Sequence, residues 1–171
     1  MSTTILNRCI RMILLLVVQL VVMNHIHLLG YGTPIVIGCL TMKFHRNASR
    51  TGLLLWGFAT GLLYDIFSNT MGMGMASCTL LAMLQPALLH LYMPRDAADD
   101  LRPSMHSMGR VRYLTYALTT LLLFHITFYA LDAFTIANWQ LTLLGIGIGT
   151  AIAFIFAWLV DLMTNPKAVG E

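Results

Sequence analysis

A chain of 171 residues that is 58% hydrophobic and only 10% charged, with a mean hydropathy of +0.77, has far fewer charges than a soluble domain, in which about a quarter of residues are charged. Ten Lys and Arg against seven Asp and Glu leave a formal net charge of +3, so nucleic acid is not an expected partner. The composition predicts an all-α, polytopic membrane protein in which little chain remains for a soluble domain.

Sustained apolar stretches near 9–29, 34–44, 51–67, 71–93, 113–134 and 140–163 predict six spans in a single helical membrane domain, since about 20 residues cross a bilayer. Arg8 and Arg11 precede the first stretch, whose apolar part is long and has no Ala-x-Ala site after it. It is therefore expected to stay as an anchor instead of leaving as a signal peptide. Gln19 within it is a candidate for a hydrogen bond to a neighbouring helix. His25 and His27 stand at its far end; on a helix, two such residues point about 200° apart, which argues against a shared metal. Pro34 opens a second stretch that is short for a full crossing. It borrows Gly30 to Thr33, lets Lys43 snorkel, or is partly re-entrant.

The third and fourth stretches hold the most informative run, GFATGLLYDIFSNTMGMG from Gly57 to Gly74. A charge at the centre of a bilayer costs about 2.5–3.5 kcal/mol, so Asp65 should face protein, water or the interface. Gly57, Gly61 and Asp65 recur every four residues and line one helix face that admits a close backbone neighbour. Counting at 1.5 Å per residue from Arg50 places Asp65 roughly 22 Å along the helix, near the opposite boundary of the membrane. There it either caps the next helix, with Ser68 and Asn69 as polar neighbours, or orients the two spans, or meets a partner. In the fourth stretch Pro86 removes a backbone donor and predicts a kink just after Gln85.

Pro94 to Arg112 forms the only sizeable polar connection, mixing four arginines with three aspartates, and reads as a surface loop that sets topology. His125 in the fifth stretch, like Gln85, is expected to bond to a neighbouring helix. In the last stretch Gly145, Gly149, Ala153, Ala157 and Asp161 recur every four residues. They form a small-residue seam that ends in a carboxylate and packs internally or against another subunit. The Gly145, Gly147, Gly149 alternation sits inside a helix-length run with no strand before it, which argues against a nucleotide loop. Cys9, Cys39 and Cys78 have no metal-like spacing and read as small packing residues. The acids are scattered and no nucleophile elbow, HExxH or phosphate loop is present, so neither catalysis nor a cofactor is expected.

Charge placement gives the topology. With six spans, Arg8, Arg11, Lys43, Arg46, Arg50, Arg95, Arg102, Arg110, Arg112 and Lys167 all fall on one face, which the positive-inside rule makes cytoplasmic together with both termini. The connections on the other face are short and carry no Lys or Arg.

Gly57-Phe58, Gly61-Leu62-Leu63, Asp65-Ile66-Phe67-Ser68 and the glycines Gly72 and Gly74 resemble the signature of the MreD family, rod-shape-determining proteins of the bacterial inner membrane. The resemblance implies a helical scaffold of the cell-elongation machinery that organises peptidoglycan synthesis. Its partner would be MreC, with RodA, a class B transpeptidase and MreB as neighbours in the complex. It also implies a fold like the substrate-binding subunits of energy-coupling-factor transporters. A vitamin-type transport subunit is therefore the rival expectation, and it calls for an enclosed pocket of convergent polar groups drawn from residues such as Asn24, His25, Asp65 and Gln85.

Overall fold

A computed structural model describes residues 2–21, 35–46, 48–70, 72–93, 102–133 and 139–164. Their elements are helices α1 (Ser2–Val21), α2 (Gly38–Met42), α3 (Arg50–Ser68), α4 (Met73–Tyr92), α5 (Met105–Met108), α6 (Arg110–Ala133) and α7 (Trp139–Thr164), with no strand among the described residues. Helices α3, α4, α6 and α7 are long and apolar enough to cross a membrane, whereas the apolar part of α1 within the described residues is the shorter Met12–Val21. The chain is thus an all-helical membrane protein with four membrane-length helices among the described residues. The expected metal-free pair His25 and His27, with Asn24, Gly30 to Thr33, Pro34, residues 94–101 and Lys167, lies outside the described residues.

Helices α3 and α4 form an antiparallel hairpin, α4 packs next on α6, and α6 on α7, while α1 leans on α3. The outer faces are apolar: Leu55, Ile66, Met83, Leu91 and Leu143 are all well exposed, which suits a lipid solvent. Basic residues Lys43, Arg50, Arg102, Arg110 and Arg112 gather where α3 and α6 begin; the α3–α4 turn lies at the opposite end.

The segment expected to be a second span is not a membrane-length helix. Ile35, Val36 and Ile37 precede the five-residue α2, and these residues with Cys39, Thr41 and Met42 are almost wholly buried. Helices α3, α4, α6 and α7 all touch α2. Irregular backbone at membrane depth survives only where protein satisfies its polar groups, and here side chains do so. Gln19 Oε1 accepts from the Val36 N–H at 2.7 Å. Tyr116 donates its hydroxyl to the Met42 carbonyl at 3.0 Å, and Gln85 donates to the Phe44 carbonyl at 3.3 Å and contacts the Tyr116 hydroxyl at 3.4 Å. The two amides picked out as helix-to-helix bonds thus serve the broken segment. Pro86 does not interrupt α4, which continues to Tyr92.

Two apolar clusters flank this segment. Met42, Leu89, Tyr113, Tyr116, Leu121 and Ala157 belong to one. Ile35, Tyr64, Leu81, Phe124, Phe128 and Tyr129 belong to the other.

Candidate functional site

The α3–α4 turn is built by its backbone first. Asn69 ends α3 in the left-handed region at φ 54°, and its N–H returns to the Asp65 carbonyl. Gly72 then opens α4 at φ 81° without a side chain that caps it. A helix start leaves its first N–H groups without intrahelical acceptors, and Asp65 reaches across from the preceding helix to supply them. Its Oδ1 accepts from Gly74 N–H at 2.8 Å and from Thr70 Oγ1 at 2.5 Å, and its Oδ2 accepts from Met75 N–H at 2.8 Å. At 7% exposure, Asp65 is a buried cap, placed where the positive end of the α4 dipole favours an anion.

The glycines make that reach possible. A Cβ on Gly61 would overlap the Gly74 carbonyl and the Met75 Cα, and one on Gly57 would lie 2.7 Å from both Ala82 Cβ and Cys78 O. A Cβ on Gly74 would stand 2.6 Å from Asp65 Oδ1 and from Tyr64 Cδ1. The neighbour for which the Gly57, Gly61, Asp65 face is shaped is therefore α4 of the same chain. Ser68 is half-buried beside Tyr64. On the outward side of the turn Ile66 and Phe67 remain 65% and 63% exposed.

The seam on α7 also turns inward. Gly145 receives the Tyr129 ring, Gly149 receives His125, and the carbonyl of the fully buried Ala153 faces Cys39 Sγ at 3.8 Å. Gly147 points at open space. Among the described residues His125 does not bond to another helix as expected: its Nδ1 lies 2.8 Å from the Leu121 carbonyl of its own helix, its ring stacks on Tyr129, and its Nε2 has no hydrogen-bond partner there.

At the basic end Asp161, 1% exposed, has both oxygens occupied. Oδ1 pairs with Lys43 Nζ, and Oδ2 accepts from the Met105 N–H at 2.9 Å. Lys43 also lies over the Tyr113 ring, 5.4 Å from its centroid. Met105 begins α5, whose Ser104 and Ser107 form a reciprocal capping box. Sequence reasoning named Asp161 and Lys43 separately but not their pairing, and it missed Tyr113 and Tyr116, because partners that lie dozens of residues apart share no spacing.

Cys39 and Cys78 are free and buried. Among the described residues no cluster of three or more His, Cys, Asp or Glu could hold a metal ion. No family model, curated protein or solved structure matches this chain.

Proposed function

We propose that this chain is a non-catalytic scaffold of the bacterial cell-elongation machinery, similar to the MreD family. It would lie in the inner membrane with six spans and both termini cytoplasmic, and would partner MreC near RodA, a class B transpeptidase and MreB. The observation that carries this reading is the turn in which the residues of the resemblance interlock. Gly57 and Gly61 admit α4, Asp65 caps it, and Ile66 and Phe67 are held outward on a fixed apolar edge. Such an edge fits a single transmembrane helix like that of MreC, because helix association in lipid relies on packing. The transport reading has less support among the described residues, since Asp65 spends both oxygens inside the α3–α4 turn and Gln85 donates to the Phe44 carbonyl.

Isolation of the tagged chain from native membranes in mild detergent, with mass spectrometry of bound proteins, tests the proposal. MreC should co-purify, and Phe67→Ala with Ile66→Ala should reduce its recovery several-fold, whereas Leu91→Ala at the opposite end should not. Wild-type chain recovered without MreC would overturn the scaffold reading.

A further inference from the structure

At the basic end a half-open cleft between α1, α2 and α3 has a cavity volume of about 70 Å³, so it is a groove open to its surroundings and not a closed pocket. Met12, Leu40, Phe44 and Trp56 form its walls, and Lys43 and Arg102 stand at its polar side. The hydroxyls in the walls are already committed: Thr60 donates to the Trp56 carbonyl at 2.6 Å and Thr41 to the Gly38 carbonyl at 2.8 Å. Beside the Trp56 indole N–H, the remaining donors on Lys43 and Arg102 are cationic. The Arg102 guanidinium has no partner among the described residues. Lys43 gives one contact to Asp161 while its side chain stays 28% exposed, and an ammonium has three donors.

Lys43 is held in advance, and so is the backbone that carries Arg102. Asp161 fixes Lys43 directly and fixes the Arg102 loop through the Met105 N–H. Ser107 Oγ then donates to the Arg102 carbonyl at 2.7 Å. The depth is also specific. Trp56 lies six residues into α3 from Arg50, about 9 Å at 1.5 Å per residue, so the apolar walls sit just below the level of the exposed arginines, where acyl chains meet headgroups. A cleft with a cationic mouth and an apolar, aromatic floor at that depth complements a molecule with an anionic head and a hydrocarbon tail.

We propose that this cleft binds one anionic phospholipid, with its phosphate against Arg102 and Lys43 and an acyl chain along Met12, Leu40 and Trp56. The site requires a membrane setting and does not depend on the scaffold reading.

The test uses the full chain with Trp139→Phe and Trp158→Phe, so that Trp56 is the sole tryptophan, reconstituted in phosphatidylcholine vesicles. Phosphatidylglycerol or phosphatidylcholine with brominated acyl chains is titrated in, and quenching of Trp56 gives the relative affinity. Phosphatidylglycerol should be preferred about five-fold, the effect of one cation near an anionic lipid surface. Arg102→Gln should bring the preference close to parity, Arg102→Lys should retain it, and Arg112→Gln, on the exposed start of α6, should leave it unchanged. Circular dichroism of each variant reports the helical fold. Equal quenching by both lipids in the parent, or an unchanged preference in Arg102→Gln, would overturn the proposal. Inorganic phosphate at constant ionic strength separates the two sources of a phosphate group: it should not displace brominated phosphatidylglycerol, and displacement would reassign the cleft to a free anion and overturn the lipid site.

Discussion

Asp65 and Asp161 are both nearly buried carboxylates with both oxygens engaged, yet they organise the chain at different ranges. Asp65 binds Thr70, Gly74 and Met75, all within ten residues of itself. Asp161 joins Lys43, 118 positions away, to Met105, 56 positions away. The first carboxylate closes a hairpin that local sequence already prescribes. The second ties the broken segment, the α5 loop and α7 into one end of the molecule. A buried acid in a helical membrane protein can therefore belong to a local motif or to a long-range clasp, and its neighbours in sequence reveal only the former.

Breaking the local clasp should have the larger effect. Asp65→Leu leaves two backbone N–H groups and the Thr70 hydroxyl without their acceptor. At about 1–3 kcal/mol per unsatisfied buried donor, and with some relief for the partly buried Thr70 and Met75, a loss of about 3–5 kcal/mol is expected. Asp65→Asn keeps one acceptor oxygen and should lose about 1–2 kcal/mol. Denaturant-detergent unfolding followed by circular dichroism measures both, and equal stability of the two variants would show that the cap is not what Asp65 contributes.

Removing Asp161 sharpens the comparison. Asp161→Leu should lose about 2–3 kcal/mol, less than for a fully buried ion pair because the partly exposed Lys43 can turn to water. Adding Lys43→Met should restore part of that loss, since the cation then no longer lacks its partner. A double variant that is less stable than the sum of the single changes would contradict the clasp. No such second-site rescue exists for Asp65, whose partners are mainly backbone.

A smaller effect comes from the α7 seam. Gly149→Leu pushes into His125 and should destabilise by about 1–3 kcal/mol, as overpacked cores do, while Gly147→Leu, which meets open space, should change stability by less than about 0.5 kcal/mol. Thermal unfolding in detergent distinguishes them. The least perturbing experiment asks only on which side each clasp lies. Single cysteines replacing the exposed Asn69 and His106, in a cysteine-free background, should label from opposite sides of the membrane, with position 69 reached from outside spheroplasts. Labelling of position 106 from outside would reverse the orientation drawn from the basic residues.

Helix positions were legible because apolar length is a one-dimensional property. The stretches 51–67, 71–93, 113–134 and 140–163 match α3, α4, α6 and α7 to within three residues at each end. The glycine and aspartate spacing from Gly57 to Gly74 also announced a close contact, since a hairpin brings sequence neighbours face to face. It did not say that the neighbour was the chain's own next helix. The 34–44 stretch reads in sequence as a second span, short or partly re-entrant, whereas the structure gives it only the five-residue α2 inside a buried segment.

What the sequence by itself determined is therefore the membrane setting, the four long helices and the small-residue faces, all of which follow from hydropathy and from a period of about 3.6 residues. The tertiary structure alone decided that residues 35–43 pass through the protein interior with only the one-turn α2 for regular structure, because α1, α4 and α6 bring Gln19, Gln85 and Tyr116 to the unpaired backbone groups of this segment. It likewise decided that Lys43 belongs to Asp161. An ion pair across 118 residues has no signature along the chain; it exists because two elements that each bury an apolar face meet with their polar ends at the same level.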